Sequence, residues 1–322
     1  MDAVEVVART PADQRPPVPA PVQPRRRRRE GTPYLLALPT LLVLAGLLGY
    51  PIVKMIVLSF QHLTLRDLWT GRTPPWAGLD NYRKVLSDPL FWTVVTRTLG
   101  IATVCVVLSV GIGLAVALLM RRVSGWVRIV ITVAMMLVWS MPQLVSTQVF
   151  LWLVDTNWGV LNWLIDMIPG VDFTNHSWFV DPVQGWTVIV ALVVWGAVPF
   201  LAITLYAGLT QVPREVVEAA VVDGAGPWSV FRHVTLPFLR QLLGIVTTLS
   251  VIWDLGLFTQ AYVIRSSKPE TDYYTLAIYA YQKAFVISDY SLGSAVSILM
   301  VLGMLGVMAF YVRQMFRIGD AD

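Results

Sequence analysis

Five stretches of this chain, residues 34–53, 98–120, 129–154, 182–213 and 290–312, contain no Asp, Glu, Lys or Arg. A sixth, 241–264, contains one, Asp254. A helix rises 1.5 Å per residue, so about 20 apolar residues cross a hydrocarbon core about 30 Å thick. Only 14% of the residues are charged and 56% are hydrophobic, whereas a soluble domain carries about 25% charged residues. The bilayer is therefore the expected solvent. Helices are the expected element, because an open strand would leave backbone groups unpaired in lipid. The reading is an all-α membrane protein with six transmembrane helices. Buried helices of a soluble protein would be shorter and striped with polar residues.

Orientation follows from the basic residues of short loops. With the N-terminus in the cytoplasm, the inner side holds fifteen arginines, at 9, 15, 25–29, 121, 122, 128, 214, 232, 240, 313 and 317. The outer side holds eight basic residues, Arg66, Arg72, Arg83, Lys84, Arg97, Arg265, Lys268 and Lys283. Both termini are then cytoplasmic. The arm over 1–30 is Pro-rich and ends in five consecutive arginines, Arg25 to Arg29. Such a composition buries nothing and is expected to be disordered. Beside a span, the arginines suit anionic lipid headgroups better than nucleic acid, and no nucleic-acid partner is expected. The arm also lacks the form of a secretory signal peptide.

Catalytic chemistry finds no frame. Cys105 is the single cysteine and lies inside a span, and His62, His176 and His233 fall on separate loops, so no metal site is expected. There is no G-x-S-x-G and no G-x-x-x-x-G-K-[ST], hence no nucleophile elbow and no P-loop. The chain is read as a non-catalytic membrane subunit with no bound cofactor.

Between the fourth and fifth runs lies EAAVVDGAGPWSVFRHVTLPF, residues 218–238. Pro213 suits a first helical turn, Glu215 and Glu218 place negative charge near its positive end, and Gly224 suits its end. Pro227 can open a second short helix through Trp228, Phe231 and Val234, with Thr235 as a cap for the fifth span. The expected product is an angled helix pair under the membrane, built to dock. An amphipathic hairpin lying in the headgroups fits less well, because Glu215, Glu218 and Asp223 would face anionic lipid.

The E-A-A, D-G-A and L-P pattern, carried by Glu218, Ala219, Ala220, Asp223, Gly224, Ala225, Phe231, Val234, Leu236 and Pro237, resembles the cytoplasmic EAA loop of permease subunits of binding-protein-dependent ABC importers. The chain is most similar to their sugar-permease branch, related to the maltose importer. Further similarities are Tyr50-Pro51, Leu58 to Phe60, Gly78 to Tyr82, Gly159 to Leu164, the VPREVVEAA run, and TLAIYAYQKAF from Thr275 to Phe285. The resemblance covers residues 31–322, with a coupling loop at 210–235 in which Trp228 joins the residues above. It implies that the loop docks on a cytoplasmic ATPase dimer, which binds ATP and Mg. It also implies a homologous permease partner, with a heterodimer expected, and an extracytoplasmic solute-binding protein. Two departures stand out. The second proline usual after L-P is absent, and the common GGP of the following outer loop is replaced by RSSKP, residues 265–269.

For a substrate pathway the costly intramembrane polar groups are the guide. Asp254 lies beside Trp253, Phe258, Gln260 and Tyr262, and the third run adds Trp139, Gln143, Gln148 and Trp152. Aromatic faces suit the C–H surfaces of sugars, and carboxylates and amides suit their hydroxyls. Asp254 reads equally well as a structural acceptor between helices, and Trp152 and Trp158 read better as interfacial belt residues. Other readings of the whole are an importer of another polar solute such as glycerol phosphate, or a stand-alone secondary transporter using Asp254.

Overall fold

The computed structural model describes residues 32–319; the arm expected over 1–30 lies outside them. Apart from one isolated antiparallel bridge between Gln61 and Trp76, the regular elements among the described residues are helical. The chain forms two compact units divided between Pro51 and Ile52. In the first, helix α1 (Thr32–Leu44) runs through a π-helical turn (Ala45–Gly49) into the start of α2 (Tyr50–Ser59). Leu41, Leu42, Leu47 and Leu48 are all exposed there, as lipid-facing side chains must be.

The second unit contains the rest of α2, α3 (Leu65–Thr70), α4 (Asp80–Ser87), α5 (Pro89–Arg122), α6 (Gly125–Ser140), α7 (Gln143–Leu153), α8 (Val160–Asp166), α9 (Pro182–Thr210), α10 (Arg214–Val222), α11 (Pro227–Val230), α12 (Leu236–Leu255), α13 (Thr259–Ile264), α14 (Leu276–Tyr281) and α15 (Tyr290–Gly319). The two principal helices start by the same device. Asp88 accepts the Leu90 N–H before Pro89, and Asp181 accepts the Val183 N–H before Pro182. An Asp cap satisfies a free amide, and proline at the first position has no amide to satisfy.

α9 is apolar on every face and is accordingly the central helix. It packs along α5, where Gly113 lets the backbones approach: a Cβ at Gly113 would lie 2.8 Å from Cβ of Leu201. Three apolar clusters follow from these contacts. One centres on Ile189, Leu192, Ala261 and Ile278, a second on Leu201, Leu205, Leu239 and Val246, and a third on Val94, Tyr279 and Val296.

Five helical runs are long and apolar enough to cross a membrane, and six if a bent pair counts as one span. That pair occupies the third run: α6 and α7 meet at a 101° bend. Pro142 follows Met141, whose backbone is extended, because a proline excludes helical geometry from the residue before it. The fifth span is also interrupted. α12 stops at Leu255 and α13 begins at Thr259 after a short connection through Gly256. The fourth ends at Thr210, short of Pro213.

Thr235 does not cap a helix. α11 continues through a π-helical turn (Phe231–Thr235) into α12, with Thr235 buried in helical backbone. The wider turn accommodates Pro237, which cannot donate to the carbonyl four residues earlier and would crowd it in a regular helix.

Candidate functional site

Both breaks in the spanning helices open onto one cavity of about 320 Å³. Met141 and Gln143 reach it from the α6–α7 bend, Gly256 to Gln260 from the α12–α13 break, and Trp195 to Ala197 from α9. Irregular backbone at membrane depth is tolerated where it lines such a space, because its unpaired polar groups need partners.

Of the nine residues singled out for a pathway from the sequence, six line this cavity: Trp139, Gln143, Trp253, Asp254, Phe258 and Gln260. Tyr262 lies outside the wall and stacks behind Phe258, centroids 4.9 Å apart. Gln148, Trp152 and Trp158 are exposed and line no part of it. Asp254 is 7% exposed, and among the described residues its carboxylate accepts no hydrogen bond and pairs with no cation. No Lys or Arg lines the cavity. A buried carboxyl without a protein partner needs one from solvent or solute.

Residues that sequence reasoning missed hold this arrangement. Phe200 lies between two wall tryptophans, its ring 5.9 Å from Trp139 and 5.5 Å from Trp253. Buried Thr275 donates to the Leu257 carbonyl at 2.7 Å, pinning the α12–α13 break, and accepts the Ile278 N–H to start α14. Ser146 and Trp195 complete the wall. For Phe200, Ser146 and Trp195 the only signal was a polar or aromatic residue within an uncharged run, which many lipid-facing positions share; Thr275 lies outside those runs, and its role depends on a contact with Leu257, 18 residues away. A larger depression of about 600 Å³ between α5, α6 and α9 is hydrocarbon-lined except for Thr187 and offers a polar solute little.

The second site is the α10–α11 loop. α10 begins at Arg214 after Pro213, with Glu215 in its first turn. It ends in a Schellman turn: Ala225 N–H donates to Ala220 O at 2.9 Å, Gly224 N–H donates to Val221 O at 3.0 Å, and Gly224 takes the left-handed conformation at φ +84°. Glu218, Ala219, Asp223, Gly224, Trp228 and Pro237 are exposed, while Ala220, Ala225, Phe231 and Leu236 are half-buried. Trp228 stacks on Phe231 at 5.5 Å yet stays 70% exposed, and Val221 and Val222 are exposed beside the loop. Exposed apolar side chains gathered among carboxylates form a surface suited to a protein partner. Among the described residues, no group of three His, Cys, Asp or Glu is placed to hold a metal.

Residues 109–319 match the family described as binding-protein-dependent transport system inner membrane component. The chain is 39% identical over 281 residues to the diacetylchitobiose uptake system permease protein of Streptomyces coelicolor, covering 87% of this chain and 85% of that one. It is 30% identical over 281 residues to the trehalose/maltose transport system permease protein of Thermococcus litoralis, covering 87% and 92%. Its fold is similar to a chain in a crystal structure of a bacterial ABC transporter involved in the import of the acidic polysaccharide alginate, with a TM-score of 0.74, 19% identity and coverage of 88% and 94%. The run of bilayer-length helices, the polar cavity at their breaks and these matches place the chain in one family: it belongs to the inner-membrane permease components of binding-protein-dependent ABC transport systems.

Proposed function

We propose that this chain is one half of the membrane pathway of an ATP-driven importer, that its solute is a neutral sugar or oligosaccharide, and that the cavity around Asp254 is its share of the solute site. The observation that carries this reading is the convergence of two helix breaks, three tryptophans, two glutamines and one unpartnered carboxyl on a single space. Tryptophan faces pack against pyranose C–H surfaces, and the carboxyl and amides accept from and donate to hydroxyls. An anionic solute such as glycerol phosphate fits less well, because the cavity offers it a carboxyl and no cation. The named solutes of the relatives, diacetylchitobiose and trehalose/maltose, agree with a saccharide.

In this reading the α10–α11 loop faces the cytoplasm, as do both termini, and seats α10 on one subunit of an ATPase dimer. That dimer binds ATP and Mg, and the chain itself binds no cofactor. A homologous permease supplies the other half of the pathway, and an extracytoplasmic binding protein delivers the solute. ATP-driven closure of the dimer then moves the spanning helices between inward- and outward-facing states. Sugar uptake into vesicles carrying the assembled transporter tests this. Uptake stopped by ATP depletion and insensitive to an uncoupler is expected. Uptake that survives ATP depletion but stops with the uncoupler would instead assign a secondary transporter.

A further inference from the structure

A second polar recess lies in the α7–α9 connection, away from the membrane cavity. It is a cleft of about 330 Å³ whose lining includes Asn157, Trp158, Trp163, Asp166, Thr174 and Asn175. The basic residues of the sequence put this connection on the outer side.

The cleft has a fixed floor. Asn162 is buried; its Nδ2 donates to His176 O at 2.8 Å and its Oδ1 accepts the Trp178 indole N–H at 2.6 Å. Asp155 accepts the backbone N–H groups of Asn157 and Trp158 at 2.8 and 2.9 Å, forming the turn that presents Trp158 outward. Asp166 uses one oxygen on the Phe173 N–H at 3.1 Å and keeps the other free. Over this floor the rings are open, Trp158 82% and Trp163 59% exposed. The side-chain amides of Asn157 and Asn175 make no hydrogen bond among the described residues, and Asn175 holds a left-handed backbone at φ +56°.

We propose that this cleft is a second saccharide-binding site, at the solvent end of the pathway. Two exposed indole faces meet C–H surfaces, while the two free amides and the spare Asp166 oxygen meet hydroxyls. A belt of tryptophans in lipid headgroups accounts for two exposed indoles. It does not account for a pinned polar recess between them with unpaired amides on its wall. The site rests on the carbohydrate reading above and gives a solute a holding point before it enters the membrane.

The test uses the membrane complex of the two permeases and the ATPase dimer in lipid nanodiscs, without the solute-binding protein, with maltose, trehalose and diacetylchitobiose as probes. Equilibrium dialysis is expected to count two sugars per copy of this chain for at least one probe. Trp158→Ala with Trp163→Ala is expected to remove one of them, and Asp254→Ala the other. Asn157→Ala with Asn175→Ala, a milder pair that leaves the indoles in place, is expected to weaken the outer site about tenfold, equivalent to about 1.4 kcal/mol. A count of one that Asp254→Ala abolishes overturns the outer site and leaves the importer reading standing. Quenching of Trp158 fluorescence by brominated lipid but by none of the sugars overturns it as well. Uncoupler-sensitive, ATP-independent uptake removes the importer reading and this site with it.

Discussion

The Tyr279 hydroxyl donates a 2.6 Å hydrogen bond to Oδ2 of Asp88, whose Oδ1 accepts the Leu90 N–H at the start of α5. Lys283 Nζ lies 3.4 Å from the same Oδ2 and 5.0 Å from the centre of the Tyr279 ring. One carboxylate thus caps a spanning helix and ties it to α14, 191 residues away. Burial pushes the Asp88 carboxyl up, but the Tyr279 and Leu90 hydrogen bonds and the Lys283 charge outweigh it and hold its pKa below the ordinary 3.8. Asp88→Ala is expected to lower stability by about 2–4 kcal/mol, the sum of a lost cap and a lost charged hydrogen bond. Because the folded pKa is depressed, the carboxylate's contribution is full above the ordinary value and fades as pH falls through the lower one. Thermal unfolding in detergent should show a gap between wild type and Asp88→Ala that is widest at neutral pH and narrows below about pH 3.8.

Ser266 and Ser267 occupy left-handed backbone, at φ +53° and +59°. They lie in the loop that follows α13. Arg265 anchors it through a two-point pair with Glu270, at 2.6 and 3.0 Å, and by lying 4.7 Å over the Tyr273 ring. Left-handed backbone costs a residue with a Cβ about 1–2 kcal/mol, partly offset by the greater freedom of glycine in the unfolded chain. Replacing both serines by glycine should raise stability by about 1–2 kcal/mol. A lowered unfolding temperature would contradict this account of the loop.

Two glycines of α5 provide an internal comparison. A Cβ at Gly113 runs into Leu201, whereas one at Gly100 meets nothing within 4 Å. Gly113→Ala should cost about 1–3 kcal/mol by forcing α5 from α9. Gly100→Ala should be neutral or stabilising by up to about 1 kcal/mol. Equal effects in a detergent melting assay would mean that the helix pair is not packed as closely as described.

Glu218 is exposed on α10 and has no ion-pair partner among the described residues. Reversing its charge disturbs no internal contact, so Glu218→Lys should insert and fold as wild type does. Its predicted defect is recovery of the ATPase in affinity purification, reduced at least about tenfold if docking uses this charge. Wild-type recovery would remove Glu218 from the docking surface.

Asp254 separates solute chemistry from architecture. Asp254→Asn keeps the shape of the side chain and one acceptor oxygen, and Asp254→Ala removes both. If the carboxyl serves the solute, Asp254→Ala should reduce uptake by about tenfold or more while complex yield stays near wild type, with Asp254→Asn intermediate. Parallel loss of uptake and assembly in Asp254→Ala would assign the residue to helix packing.

Much of this was legible along the chain because its causes are local. An uncharged run of bilayer length reports its own solvent, and Gly224, Pro227 and the acidic first turn of α10 shape the loop within a few residues. Trp253, Asp254, Phe258 and Gln260 could be singled out together because they are neighbours in sequence. Local signals also misled: Thr235 has the residue type of a cap, but Pro237 is absorbed by a π-helical turn and the helix runs through.

What the sequence determined by itself was therefore the membrane setting, the helical class and the position of the loop, each set by hydrophobicity and backbone chemistry over short spans. Only the tertiary structure decided that the breaks at Pro142 and Gly256 open onto the same space, that Phe200 and Thr275 support it, and that Asp88 meets Tyr279. Those relationships depend on how α5, α9 and α12 pack. Packing is set by the close approach of residues far apart in the chain, which no periodicity in a single segment encodes.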